Sequence, residues 1–128
     1  MFKRLMFNDL VKFMSKDLNT HIMVEEKGGN KFLIYDHDSN IDEEEFTQIK
    51  FRFENNTLII PGFFLKKQNV GIGSKIMKWF IKFCKESNIF SIEIRTVGRD
   101  KQGMLRLLNK FDFKKVKSEE YMDFKREL

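Results

Sequence analysis

Residues 57–85, TLIIPGFFLKKQNVGIGSKIMKWFIKFCK, leave this chain little choice of architecture. The run 57–65 is dense in β-branched and aromatic residues and reads as a strand. Lys66-Lys67-Gln68-Asn69 breaks the apolar run. Gly71 and Gly73 then stand where a helix should begin, and Ile72, Ile76, Trp79, Phe80 and Phe83 follow at helical spacing to about Glu86. A second β-rich run, IFSIEIRTV at 89–97, comes next. Strand, helix and strand in that order predict a parallel pair joined by a right-handed crossover. Pro61-Gly62 interrupts the first strand: proline cannot donate to a ladder, and glycine within a strand often marks a bulge. Glycines at a helix start let a ligand approach the unpaired N–H groups of the first turn, where the helix dipole favours a phosphate. A plain tight turn would use the same residues.

The remainder of the chain fits around this unit. Asn8 or Asp9 is positioned to cap a helix whose apolar face carries Leu10, Phe13, Met14 and Leu18. Residues 1–7 read as a short strand or as an extension of that helix. HIMVEE (21–26) and KFLIYD (31–36) flank Lys27-Gly28-Gly29-Asn30 and predict a hairpin. FTQIKFRF (46–53) alternates, with Thr47, Ile49, Phe51 and Phe53 on the buried side, and Glu54-Asn55-Asn56 turns into the strand at 57. After Val97, a polar loop with Gly98 and Gly103 leads to a short helix, MLRLLNKF (104–111). Strands at 113–117 and 121–125 close the chain, giving a mixed α/β sandwich.

Several residue groups have a plain reading beside a functional one. The acidic segment 36–45, DHDSNIDEEE, puts Asp36, Asp38 and Asn40 at alternating positions, as a calcium loop does. Ile41 stands where the bend glycine should be and Thr47 where the final Glu should be, so a solvated hairpin loop is the plainer reading; attraction of a cationic amine is a third. His37 has no histidine near it in sequence for a metal site. Lys75, Lys78, Lys82 and Lys85 form one stripe, read as the wet face of an amphipathic helix rather than a docking face. Cys84 reads as a buried small hydrophobe.

Composition narrows the classes. A chain of 128 residues suits one domain, 1–128. The single cysteine excludes an internal disulfide. With 15 Phe against 2 Tyr, the aromatic content points to a phenylalanine-filled core. A net charge of +5 permits attraction to anions, but no ordered basic-aromatic cluster points to nucleic acid. No apolar run is long enough for a membrane span, and Lys3, Arg4, Asn8 and Asp9 interrupt any leader, so a cytoplasmic location is expected.

Gln68-x-x-Gly71-x-Gly73 between a strand and a helix resembles the Q/R-x-x-G-x-G/A motif of the GNAT superfamily of acyl-CoA-dependent N-acetyltransferases. LLNKFDF (107–113) is similar to that family's L-Y-x-k-x-G-F, with Leu108 at the position of the tyrosine and Asp112 at that of the glycine. The family's asparagine upstream has no clear counterpart, Lys101 standing nearest. The loop before this helix looks longer than usual, and the first helix precedes the hairpin instead of following the first strand. The resemblance covers roughly 46–125. It implies a mostly antiparallel twisted sheet with a central splayed parallel pair and flanking helices. It also implies acetyl-CoA as co-substrate and no metal. Backbone groups of Phe63, Phe64 and Leu65 would meet the pantetheine arm. Amides of Gln68, Asn69, Val70, Gly71, Ile72, Gly73 and Ser74 would hold the pyrophosphate. An amide near Phe63 would support the carbonyl oxygen.

Amide formation from a thioester needs a deprotonated amine, a donor to the carbonyl oxygen, a route for the leaving thiolate, and positioning. Leu108 cannot donate a proton. Tyr121 is the candidate acid, with water as the alternative. Glu54 and Glu93 are the candidate bases, each also readable as a surface charge. The expected function is acetyl transfer from acetyl-CoA to an amine of a small molecule or a protein. The alternative is a non-catalytic module that binds acyl-CoA or makes protein contacts. The acceptor is open, and a homodimer is among the assemblies left open.

Overall fold

The computed structural model describes residues 2–37, 46–65, 71–98 and 101–128. A 3-10 turn at Arg4–Phe7 runs straight into helix α1 (Asn8–Leu18). The hairpin β1 (Ile22–Gly28) and β2 (Lys31–Asp36) follows, then β3 (Gln48–Glu54) and β4 (Thr57–Phe64). Helix α2 (Ile72–Glu86), strand β5 (Ser91–Gly98), helix α3 (Gln102–Lys110) and strands β6 (Lys114–Ser118) and β7 (Tyr121–Glu127) complete the order. The strands form one seven-stranded sheet in the order β1-β2-β3-β4-β5-β7-β6. Only β4 and β5 are parallel; every other neighbouring pair is antiparallel.

The expected alternation in β3 is observed: Ile49, Phe51 and Phe53 are buried while Lys50 and Glu54 are exposed. The turn into β4 is made by Asn55 and Asn56, both left-handed (φ 51° and 59°), the conformation asparagine tolerates best after glycine. One expectation fails at the first helix. Neither Asn8 nor Asp9 caps α1: the N-cap residue is Phe7, with no side-chain cap. The preceding 3-10 turn delivers the chain already coiled, with the Asn8 N–H bonded to the Leu5 carbonyl, so residues 4–7 extend the helix.

All three helices lie on one face of the sheet. Lys75 of α2 pairs with Asp17 of α1, and Lys110 of α3 donates to Ser74 of α2. Between helices and sheet lies the phenylalanine core. The Phe7 ring contacts Phe32, Phe51, Trp79 and Phe83, and Phe51 meets Phe80 edge-on. Cys84 is fully buried, and burial pushes its thiol up to about 12. The lysine stripe of α2 is exposed, as a wet face should be, with Lys75 also lying over Phe13. The other face of the sheet is bare of helices among the described residues. Its even-numbered β3 side chains stand beside Leu33 of β2 and Ile59 of β4. No described helix is long and apolar enough to cross a membrane.

Candidate functional site

The parallel ladder between β4 and β5 is short. It pairs Thr57 with Ser91, Leu58 with Ile92, Ile59 with Glu93 and Ile60 with Ile94, and then stops. Past that rung β4 stays paired only to β3, and β5 only to β7. Each strand carries a bulge on its outer edge at this level. Lys50 is opposite Gly62 and Arg52 opposite Ile59, so Ile60 and Pro61 face Phe51 alone. Ile94 is opposite Phe124 and Val97 opposite Met122, so Arg95 and Thr96 face Asp123 alone. An extra residue bends its strand and increases local twist. Two such bends on opposite outer edges turn the strands apart, and Pro61 has no N–H with which to extend the ladder. The result is a wedge between 61–64 and 95–98 with strand backbone on both sides.

The second bulge is held in an unusual state. Thr96 is left-handed (φ 63°), a region β-branched residues rarely enter, and its N–H donates to Asp123 Oδ1 at 3.0 Å. No sequence signal marks this: Thr96 sits in an unbroken β-rich run. The first bulge, by contrast, was legible in Pro61-Gly62.

The wedge leads to the N-terminus of α2. Gly71 is its N-cap residue, left-handed at φ 72°, and no side chain among the described residues caps the helix. Among the described residues, a Cβ on Gly71 would meet nothing within 4 Å. Gly73 serves a different purpose. A Cβ on it would lie 3.2 Å from Leu107 Cδ2 and 3.6 Å from Leu65 Cδ1, so this glycine lets α3 pack closely against α2. The first turn of α2 contains no acidic residue, and the Lys110 ammonium lies 3.1 Å from the Ser74 hydroxyl. A cation at the positive end of a helix dipole is unfavourable in isolation and suits an anion arriving there. The local chemistry therefore fits a phosphate group. Gln68, Asn69 and Val70 lie outside the described residues, as does the calcium-like pattern from Asp38 onward. Asp36 itself is buried and accepts a hydrogen bond from Thr20 Oγ1 at 2.8 Å. Folding brings His21 beside His37, ring centroids 5.4 Å apart, a pairing invisible in sequence. No group of metal-binding side chains occurs among the described residues.

The fold matches those of known structures. An acetyltransferase of the GNAT family from Staphylococcus aureus superposes with a TM-score of 0.55 at 21% identity, covering 99% of this chain and 80% of its own. Campylobacter jejuni N-acetyltransferase PseH, in complex with acetyl coenzyme A, gives 0.58 at 17% identity, covering 98% and 82%. PaiA N-acetyltransferase from Thermoplasma acidophilum, in complex with coenzyme A, gives 0.57 at 14%, covering 96% and 69%. This chain has the GNAT fold. No protein-family model matches the sequence, and no curated protein is matched by it.

Within the GNAT fold the expected site residues are distributed as follows. Phe63 and Leu65 are at the buried margin of the wedge, and Phe64 is exposed on the bare face, its ring 5.3 Å from that of Phe46. Glu93 pairs with Ile59 on the bare face, one rung before the ladder ends. Its Oε1 accepts from Arg95 Nε at 2.8 Å, and this hydrogen bond raises the Arg95 pKa against the opposing effect of burial. Glu54 is the last residue of β3, opposite Thr57, and accepts a hydrogen bond from Arg52 Nε at 2.9 Å. Tyr121 is exposed at the start of β7, opposite Gly98. Leu108 is fully buried in the core. Asp112 is left-handed (φ 61°), a backbone conformation that glycine adopts without strain.

Proposed function

We propose that this chain is an N-acetyltransferase that moves an acetyl group from acetyl-CoA to an amine. The observation that supports this reading best is the wedge opening onto the N-terminus of α2 beside Lys110. Backbone of Phe63, Phe64 and Leu65 would hold the pantetheine arm as a strand holds its neighbour. Amides of Gly71, Ile72, Gly73 and Ser74, with those of Gln68, Asn69 and Val70, would hold the diphosphate. Bound acetyl-CoA would supply an acyl group activated as a thioester. An amide near Phe63 would donate to its carbonyl oxygen.

Of the candidate proton carriers, Glu93 stands nearest the point where the strands part, and its role would be to accept the amine proton, directly or through water. Glu54 is four residues along β3 from Lys50, which faces Gly62, and is the weaker base candidate. Tyr121, exposed beyond the bulge, would protonate the departing thiolate, a task water can also perform. The reading takes 1–128 as one domain acting in the cytoplasm.

Burial of Leu108 favours a second reading, a module that binds acyl-CoA without turning it over. Release of free CoA thiol on addition of an amine separates the two. The test of both is calorimetry with acetyl-CoA on the wild type, Gly71→Glu and Gly71→Asn. Asparagine tolerates the left-handed backbone and serves as the control for folding. Binding that survives in Gly71→Asn and is lost in Gly71→Glu supports the site. Equal heats in all three, or none in the wild type, would refute it.

A further inference from the structure

The bare face of the sheet carries a cleft of about 300 Å³ where β4 begins to leave β5, lined by Lys27, Lys31, Leu33, Lys50, Arg52 and Pro61. Its charges come from three strands, β1, β2 and β3, so no single segment of sequence announces it. Lys31 is directly opposite Arg52 across the β2–β3 ladder, and Lys50 is on the same face two pairs further on, opposite Leu33. Like charges directly opposite each other destabilise a sheet. Glu54 compensates Arg52, and Glu25 compensates Lys27 at 3.2 Å. Lys31 and Lys50 have no carboxylate partner among the described residues. Lys50 is opposite Gly62, where an added Cβ would lie 3.2 Å from the Phe64 ring and 4.0 Å from Lys50 Cβ. Pro61, the bulge residue, forms the wall nearest the wedge.

We propose that this cleft binds the acidic group, carboxylate or phosphate, of the amine acceptor, with Lys31 and Lys50 as its cations. The assignment rests on the acetyltransferase reading above. The phosphates of CoA belong at the N-terminus of α2, on the helix-covered side. The cleft is on the opposite side, against the residues where the strands part. An acceptor anchored there by its acid would direct its amine toward the wedge. The acceptor class is then an amino acid or an aminoalkyl phosphate, and a simple polyamine is a poor fit.

The test uses the full chain with saturating CoA and follows backbone amide signals by NMR. Titrations with β-alanine, O-phosphoethanolamine and ethylamine separate carboxylate, phosphate and bare amine. We expect one or both acids to shift the amides of Lys31, Leu33, Lys50 and Gly62, and ethylamine to leave them unmoved. Lys31→Gln and Lys50→Gln, changes at exposed positions, should each weaken acid binding about tenfold, the scale of one charge-assisted hydrogen bond. CoA affinity should be unchanged in both variants. Transfer rates should fall through a higher KM for the acid-bearing amine. A chain that binds CoA and ignores both acids, or binds them equally in the variants, overturns this assignment alone. Displacement of the acids by CoA overturns it too. A chain that takes O-phosphoethanolamine at Lys50 and binds no CoA overturns the acetyltransferase reading and the acceptor assignment together.

Discussion

The carboxylate of Asp123 on β7 accepts the main-chain N–H of Thr96 on β5, at 3.0 Å, and so holds a β-branched residue in the left-handed region. Such a conformation costs on the order of 1–3 kcal/mol and persists only where its surroundings over-determine it. Thr96→Gly should therefore raise stability by about 1 kcal/mol. Asp123→Ala should lower it by about 1–2 kcal/mol, the cost of an abandoned N–H. Urea melts of both variants check the pair; destabilisation by Thr96→Gly would show that the bulge is unstrained.

The Gly73–Leu107 contact predicts a change of sign. Alanine is the better helix former by roughly 1 kcal/mol, but its methyl would lie 3.2 Å from Leu107 Cδ2. Gly73→Ala should be neutral or mildly destabilising in the wild type, and stabilising in a Leu107→Ala background. A double-mutant cycle measures the difference, and additivity would mean that the two side chains do not meet.

Cys84 predicts a loss of stability on the alkaline side. Burial raises its thiol from 9.0 to about 12, so the folded chain holds a proton that the unfolded chain releases from about pH 9. The contribution is complete below pH 9 and is lost as pH rises toward 12. Cys84→Ala leaves a small cavity and cannot ionise. Its stability deficit against the wild type should therefore narrow between about pH 7 and about pH 10, as read from urea midpoints.

Leu108→Tyr tests whether the missing hydroxyl can be restored by substitution. Leu108 has no exposure, so a tyrosine there would overpack the core at a cost of roughly 1–3 kcal/mol. We expect a lower melting temperature and no gain in CoA release. A faster variant would mean that this position communicates with the wedge.

Much of this architecture can be read along the chain because it is built from local signals. Alternation in β3, Gly28-Gly29 at the first hairpin, Asn55-Asn56 at the next and Gly71 before α2 each act within a few residues. What escapes is set between strands. The Thr96 bulge depends on Asp123, the closeness of Gly73 to α3 depends on Leu107, and the cationic cleft depends on Lys31 lying across from Arg52. Register decides all three, and register is a property of pairs. The unneeded cap at Asn8 escaped for a related reason: the 3-10 turn before it already supplied the coil.

Because main-chain bonding between β4 and β5 ends at Ile60 and Ile94, the seven strands behave as two leaves on one short spine. The length of that spine governs how far the leaves can gape, and a molecule lying between them acts as a borrowed strand. Lengthening the spine by even one rung would narrow the opening at its root, so room between the leaves of such a sheet comes from unfinished pairing.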